Sequence, residues 1–180
     1  MILDASIDIV RKEGHEYLNA RRIAEYLGCS TQPVMYNFKT VDEIREKVYR
    51  ITDEYHSDYI MPDEELDRDP LLALGLNYIR FGHEEPHLFR FLFQTNQFSG
   101  MNMNALIHDP QLSAVIDIMA ENMKCSEAEA QEMFLLFFVA AHGYASLLAN
   151  NAMEYDEELS VKMLETMYDN LFLSQKGRRL

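Results

Sequence analysis

Between Leu18 and Thr40 the chain leaves room for two short helices and little else. Asn19 stands where a residue would cap a helix over 20–27, and Gly28 stands where that helix would end. Ser30 is placed to cap a second helix over 31–37. Ile23, Ala24 and Leu27 give the first helix an apolar face, and Val34 and Phe38 give one to the second. Ala24 is small enough to let the helices cross closely. Gly28 can take the left-handed conformation that a three-residue turn needs. A short second helix, polar on one side and held out by such a turn, has the geometry of a helix-turn-helix unit presented to a DNA major groove.

The remaining punctuation predicts an all-α chain. Apolar positions from Ile2 to Val10, stopped by Gly14, give a helix over 2–13. Thr40 with Glu43 makes a capping box that opens a long helix over 41–60, and Pro62 with Asp63-Glu64-Glu65 marks a linker. Pro70, Pro86 and Pro110 suit first helical turns, giving helices at 70–84, 86–95 and 110–123. Residues 96–107 read as a loop with one short helical turn. Ser126 with Glu129 makes a second box and starts a helix over 126–152. A last helix covers 157–174, followed by Lys176, Arg178 and Arg179, whose charge suits a helix C-terminus. About nine helices follow, divided into an N-terminal unit at 1–45 that holds the helix-turn-helix and a helical bundle at 46–180.

Charge is segregated along the chain. Residues 1–50 carry eight basic and eight acidic side chains, whereas residues 51–180 carry eight and twenty-two, so the whole net charge of −14 lies in the second part. A neutral segment with clustered arginines on an acidic body is compatible with a polyanionic partner. Cys29 and Cys125 lie far apart with no CxxC, which excludes a cysteine zinc site. Met1-Ile2-Leu3 is followed at once by Asp4, without the basic and apolar segments of a signal peptide, so a cytoplasmic protein is expected.

Residues 2–47 resemble the DNA-binding domain of the tetracycline-repressor (TetR) family. The likeness rests on Ile2-Leu3-Asp4-Ala5, Gly14, Ile23-Ala24, Gly28-Cys29-Ser30, Phe38 and Asp42-Glu43-Ile44. Farther along, Glu85-Pro86-His87-Leu88-Phe89-Arg90 and Ala141-His142-Gly143-Tyr144-Ala145-Ser146-Leu147 resemble the proline-led helix and histidine-glycine motif of one TetR-type ligand-binding domain. The sequence departs from the family pattern at Met35, where a tyrosine is usual, and at Val41, where a lysine is usual. Tyr36 and Lys39 stand beside those positions. The family also usually carries basic residues ahead of its first helix, and this chain begins almost inside that helix.

Candidate DNA contacts are Arg21, Arg22, Ser30, Thr31, Gln32, Tyr36, Asn37, Lys39 and Thr40. Arg21 and Arg22 fit either backbone phosphate or a solvated helix face. Gln32 can pair with adenine, and Thr31 can touch a thymine methyl group. Asn37 fits a phosphate contact or a helix-end cap. Cys29 reads as a small turn residue packed inward.

Aromatic and methionine side chains concentrate over 78–103, including Tyr78, Phe91, Phe98 and Met103. Most must be core, but breaks between helices are where bundles open cavities. The expected effector is a small, largely apolar molecule, neutral or cationic rather than anionic. Its expected contacts are Phe81, Phe89, Phe93, Met101, Phe138 and His142. His142 fits equally a buried core histidine with one hydrogen bond. His83 and His87 are four apart, but Pro86 breaks the helix between them, so no metal is expected there. No cofactor is expected either.

Met133 to Ala149 is seventeen residues without a charge, short of a membrane span of about 20 residues. A helix apolar all round must be covered all round. With the stripes Leu159, Met163, Met167, Leu171 and Val161, Leu164, Tyr168, Phe172 on the last helix, it suggests a homodimer through 126–152 and 157–174. The expectation is a non-enzymatic, dimeric transcriptional repressor that binds a palindromic duplex operator and is released by an effector. The alternative is a helical ligand-binding or adaptor dimer with a degenerate DNA-binding domain. No P-loop, GxGxxG or HExxH supports an enzyme.

Overall fold

A computed structural model describes residues 1–62, 69–96 and 99–178, with side chains described to Leu171 apart from Gln111. The expectations for the acidic linker at 63–65, for Phe98 and Arg179, and for the side chains of Phe172, Lys176 and Arg178 lie outside the described residues. The described residues contain helices and no strand: α1 Ile2–Glu13, α2 Ala20–Leu27, α3 Thr31–Asn37, α4 Val41–Ile60, α5 Pro70–Glu84, α6 Pro86–Phe93, α7 Met103–Ile107, α8 Ser113–Met123, α9 Glu127–Asn151 and α10 Glu157–Arg178.

The caps act where local chemistry places them. Asn19 Oδ1 accepts the Arg22 N–H at 2.9 Å to start α2, and Thr40 Oγ1 accepts the Glu43 N–H at 3.1 Å to start α4. Glu43 reaches back to the Lys39 N–H at 3.0 Å, one residue ahead of an ordinary capping box. Ser126 and Glu129 form the full reciprocal box of α9. Ser30 differs from expectation. It holds the N-cap position of α3 in extended conformation, but its side chain makes no cap hydrogen bond.

Three boundaries also shift. α6 ends at Phe93 rather than 95, with the Thr95 hydroxyl donating to the Phe91 carbonyl at 2.9 Å. Residues Pro110–Leu112 form a 3-10 turn before α8. α10 runs about one turn beyond the expected end.

α1, α2 and α3 pack as a compact head with the first half of α4. The body centres on the α5–α9 crossing, flanked by α6, α8 and α10. Gly82 and Ala145 set that crossing. A Cβ on Gly82 would stand 2.8 Å from both Cβ and O of Ala145. The head docks on the body through α1 against α6. Arg11 pairs with Glu85 at 3.0 Å, Tyr55 also donates to Glu85 at 3.1 Å, and His15 stacks on Phe91 at 5.9 Å. Buried apolar side chains form one continuous cluster from Ile9 in α1 to Leu164 in α10.

Candidate functional site

The first site is the outer face of the head. Gly28 closes α2 with φ 66° and ψ 32°, and the next N–H, of Cys29, reaches the Ala24 carbonyl at 2.9 Å. This αL cap turns the chain so that α3 leaves with only Val34 fully buried. A Cβ on Gly28 would meet nothing within 4 Å, so the glycine is required by its dihedral angles and not by crowding. Thr31, Gln32, Tyr36, Lys39 and Thr40 are exposed together along α3 and the start of α4, with Tyr36 89% exposed. Cys29 is exposed as well, which corrects the expectation that it packs inward.

Three other DNA candidates have intramolecular partners. Arg21 Nε donates to Glu25 at 3.0 Å while remaining almost fully exposed. Arg22 makes a bidentate pair with Glu13 of α1, its Nε donating at 2.8 Å. That guanidinium holds the Glu13 carboxyl below its ordinary range. Arg22 therefore braces α2 against α1, beside a second brace in which Tyr26 donates to Asp8 at 2.7 Å. Asn37 Nδ2 donates to the Pro33 carbonyl at 2.8 Å at the end of α3.

The second site is a cavity of about 400 Å³ in the body. Phe93, Met101 and Phe138 stand in its wall, as the sequence predicts. Phe81 and Phe89 do not, because both are fully buried in the packing around it. His142 is also not part of the wall. It shares a 2.8 Å hydrogen bond with Tyr78 Oη and packs among the rings of Phe89, Phe93 and Phe138. Burial lowers its pKa, so it is the neutral core histidine of the two sequence readings. Gly75 also stands in the wall, where a Cβ would come 2.7 Å from the Phe137 ring.

The α4 wall is absent from the sequence expectations. Tyr49, Asp53, His56 and Ser57 project from α4 at helical spacing and line the cavity with Ile60. Their i, i+4, i+7, i+8 pattern is a signal the sequence contains, but on sequence alone α4 reads only as the helix that follows the motif. His56 is 7% exposed, its Nε2 is buried without a hydrogen-bond partner, and burial pushes its pKa down to about 4. Burial also raises the Asp53 carboxyl, and the like charge of Glu54 adds to the shift.

His83 and His87 face different neighbours. His83 stacks on Tyr155 at 5.1 Å, and His87 Nδ1 lies 2.8 Å from Arg90 Nη2. Among the described residues no group of three or more His, Cys, Asp or Glu could hold a metal ion.

α9 is long and apolar enough to cross a membrane, but one face of it is packed into the bundle. On its outer face Leu136, Val139, Gly143 and Leu147 form a single exposed stripe, and nothing lies within 4 Å of a Cβ built on Gly143. Ala141 and Ala145 point inward instead, so only part of the small-residue set is free to meet a partner.

A family model described as the tetracyclin repressor-like, C-terminal domain matches residues 71–171, from the first turn of α5 into α10. No curated protein matches the chain. The matched segment covers more than half of the 180 residues and contains most of the cavity wall, the α5–α9 crossing and the outer stripe of α9. The chain thus belongs to the tetracycline-repressor-like (TetR) family of regulators.

Proposed function

We propose that this protein is a cytoplasmic, homodimeric transcriptional repressor that binds a palindromic operator through its head and is released when a small molecule occupies the body cavity. The observation that carries this reading is the course of α4. Its first turn, capped by Thr40, adjoins the exposed face of α3, and its second half forms one wall of the cavity. A ligand that fits one tilt of α4 better than another shifts the population of head positions by the ratio of its two affinities. Exposed Thr31, Gln32 and Tyr36 are the base-edge and sugar contacts, and Arg21, Lys39 and the α4 N-terminus take phosphate.

The exposed α9 stripe, continued by Leu159 of α10 at 54% exposure, supports pairing of two copies. Two-fold pairing would present two heads to two half-sites one helical turn apart, so the operator would be a palindrome.

The pairing of Arg21 with Glu25 and of Arg22 with Glu13 favours a second reading, a ligand-binding or adaptor dimer whose head no longer grips DNA. One experiment separates the two. Duplexes are selected from a random pool and their affinity is followed against salt concentration. A repressor enriches a palindrome and shows a steep salt slope, whereas a degenerate head enriches nothing. A small-molecule collection is then screened for release of the selected duplex from the parent and from Ser57→Trp, which plugs the cavity from an exposed position. Compounds that release only the parent act through the cavity. If none do, the effector half of the reading fails.

A further inference from the structure

We infer that the body cavity is a receptor for a protonated aromatic amine, with Asp53 taking the ammonium charge and His56 Nε2 accepting one of its N–H groups. This rests on the effector reading above and adds the chemistry of the ligand.

Charge comes first. Among the described residues the wall contains the carboxylates of Asp53 and Asp109 and no lysine or arginine. An organic anion entering this space would be stripped of water and would meet like charge, whereas a cation would meet the Asp53 carboxylate. Among the described residues the charge acting on Asp53 is the like charge of Glu54, and burial already destabilises its ionised form. A cation at the wall relieves both effects.

Hydrogen bonding comes second. His56 is nine-tenths buried, faces the cavity, and has an unpartnered Nε2. Its low pKa, about 4, keeps the imidazole neutral near pH 7, so it does not repel an ammonium group. In the tautomer protonated at Nδ1, Nε2 is an acceptor and needs a donor. His56 lies three residues after Asp53, on the same face of α4, so a single donor-rich cationic head can meet both.

Shape comes third. The walls are ring faces and edges, among them Tyr49, Tyr78, Phe93, Phe134 and Phe138. Such rings stack on a flat apolar body and attract a cation held over them. A cavity of about 400 Å³ is at the small end for ligand sites, which suits one or two fused rings.

Three naphthalenes of one shape and different charge test the assignment: 1-naphthylmethylammonium, 1-naphthylmethanol and 1-naphthoate. The chain has no tryptophan, so naphthalene emission reports binding without indole background. The ammonium compound is expected to bind about tenfold or more tightly than the carboxylate. Asp53→Asn should weaken the ammonium about tenfold and leave the alcohol within about twofold. His56→Phe should weaken both donors and leave the carboxylate unaffected. Ser57→Trp, which adds an indole and is therefore titrated by calorimetry after its native helicity is checked by circular dichroism, should abolish binding of all three.

Naphthoate binding as tightly as the ammonium, or ammonium affinity indifferent to both Asp53→Asn and His56→Phe, overturns the inference. Equal binding of all three that Ser57→Trp abolishes rejects the cation preference and retains the cavity as a receptor. Failure of the ammonium to bind at all rejects the amine class. The duplex-release screen decides separately whether the cavity is an effector site.

Discussion

Burial holds the His56 imidazole neutral, so unfolding gives it a proton-binding site it lacks in the fold. Its pKa is about 4 folded against an ordinary 6.5. Between those values the unfolded chain binds the extra proton. The His56 contribution is therefore complete above about pH 6.5, falls as pH drops, and levels off below about 4. Between pH 7 and pH 5 the loss should be about 2 kcal/mol. His56→Phe should flatten that part of the pH dependence, read as the difference in urea midpoints of parent and variant. Tyr36 presents the opposite case: at 89% exposure, Tyr36→Ala should leave the melting temperature unchanged and weaken duplex binding in an anisotropy titration. Equal duplex affinity in the variant would remove Tyr36 from the DNA face. The caps at Asn19, Thr40 and Ser126 were legible in the sequence because each acts within three residues. The placement of His56 was not, because Tyr78, Phe81 and Phe93, whose rings surround it, come from α5 and α6.

At the scale of elements, most helix limits follow from prolines, glycines and caps, which act locally. The exceptions arise where a tertiary contact intervenes. α6 stops at Phe93 where Gln94 Nε2 turns to Ser146 of α9 at 3.2 Å. The α5–α9 crossing shows the same limit. Nothing local marks Gly82 as a contact point, and its role comes from Ala145, which lies against it. Gly82→Ala places a methyl group against the α9 backbone, which cannot rotate away, and should cost about 1–3 kcal/mol in chemical denaturation. Ala152→Gly should act in the other direction. Ala152 ends α9 at φ 48° and ψ 34°, a left-handed conformation that glycine takes without a Cβ clash, so the change should add about 0.5–1 kcal/mol. A loss of stability in that variant would mean that the alanine methyl is worth more than the strain it causes.

For the molecule as a whole, the apolar run over α9 announced a helix covered on two sides, but only its packing on α5 fixes which side remains. Leu136, Val139 and Leu147 are 57%, 52% and 47% exposed. Val139→Glu should convert a dimer to a well-folded monomer by light scattering. Unchanged mass would place the partner face elsewhere. The resemblance in the first 47 residues implies the architecture of the head, with its border placed at residue 45. That border falls inside the first turns of α4. The buried cluster from Ile9 to Leu164 has no gap at it, and Arg11 and His15 are held by Glu85 and Phe91 of the body. The consequence is one for protein engineers. A hybrid regulator made by splicing a foreign head at residue 45 would sever a helix and leave Glu85 without its arginine. A graft that carries α1 through α4 together, with matching substitutions at positions 85 and 91, keeps the joint intact.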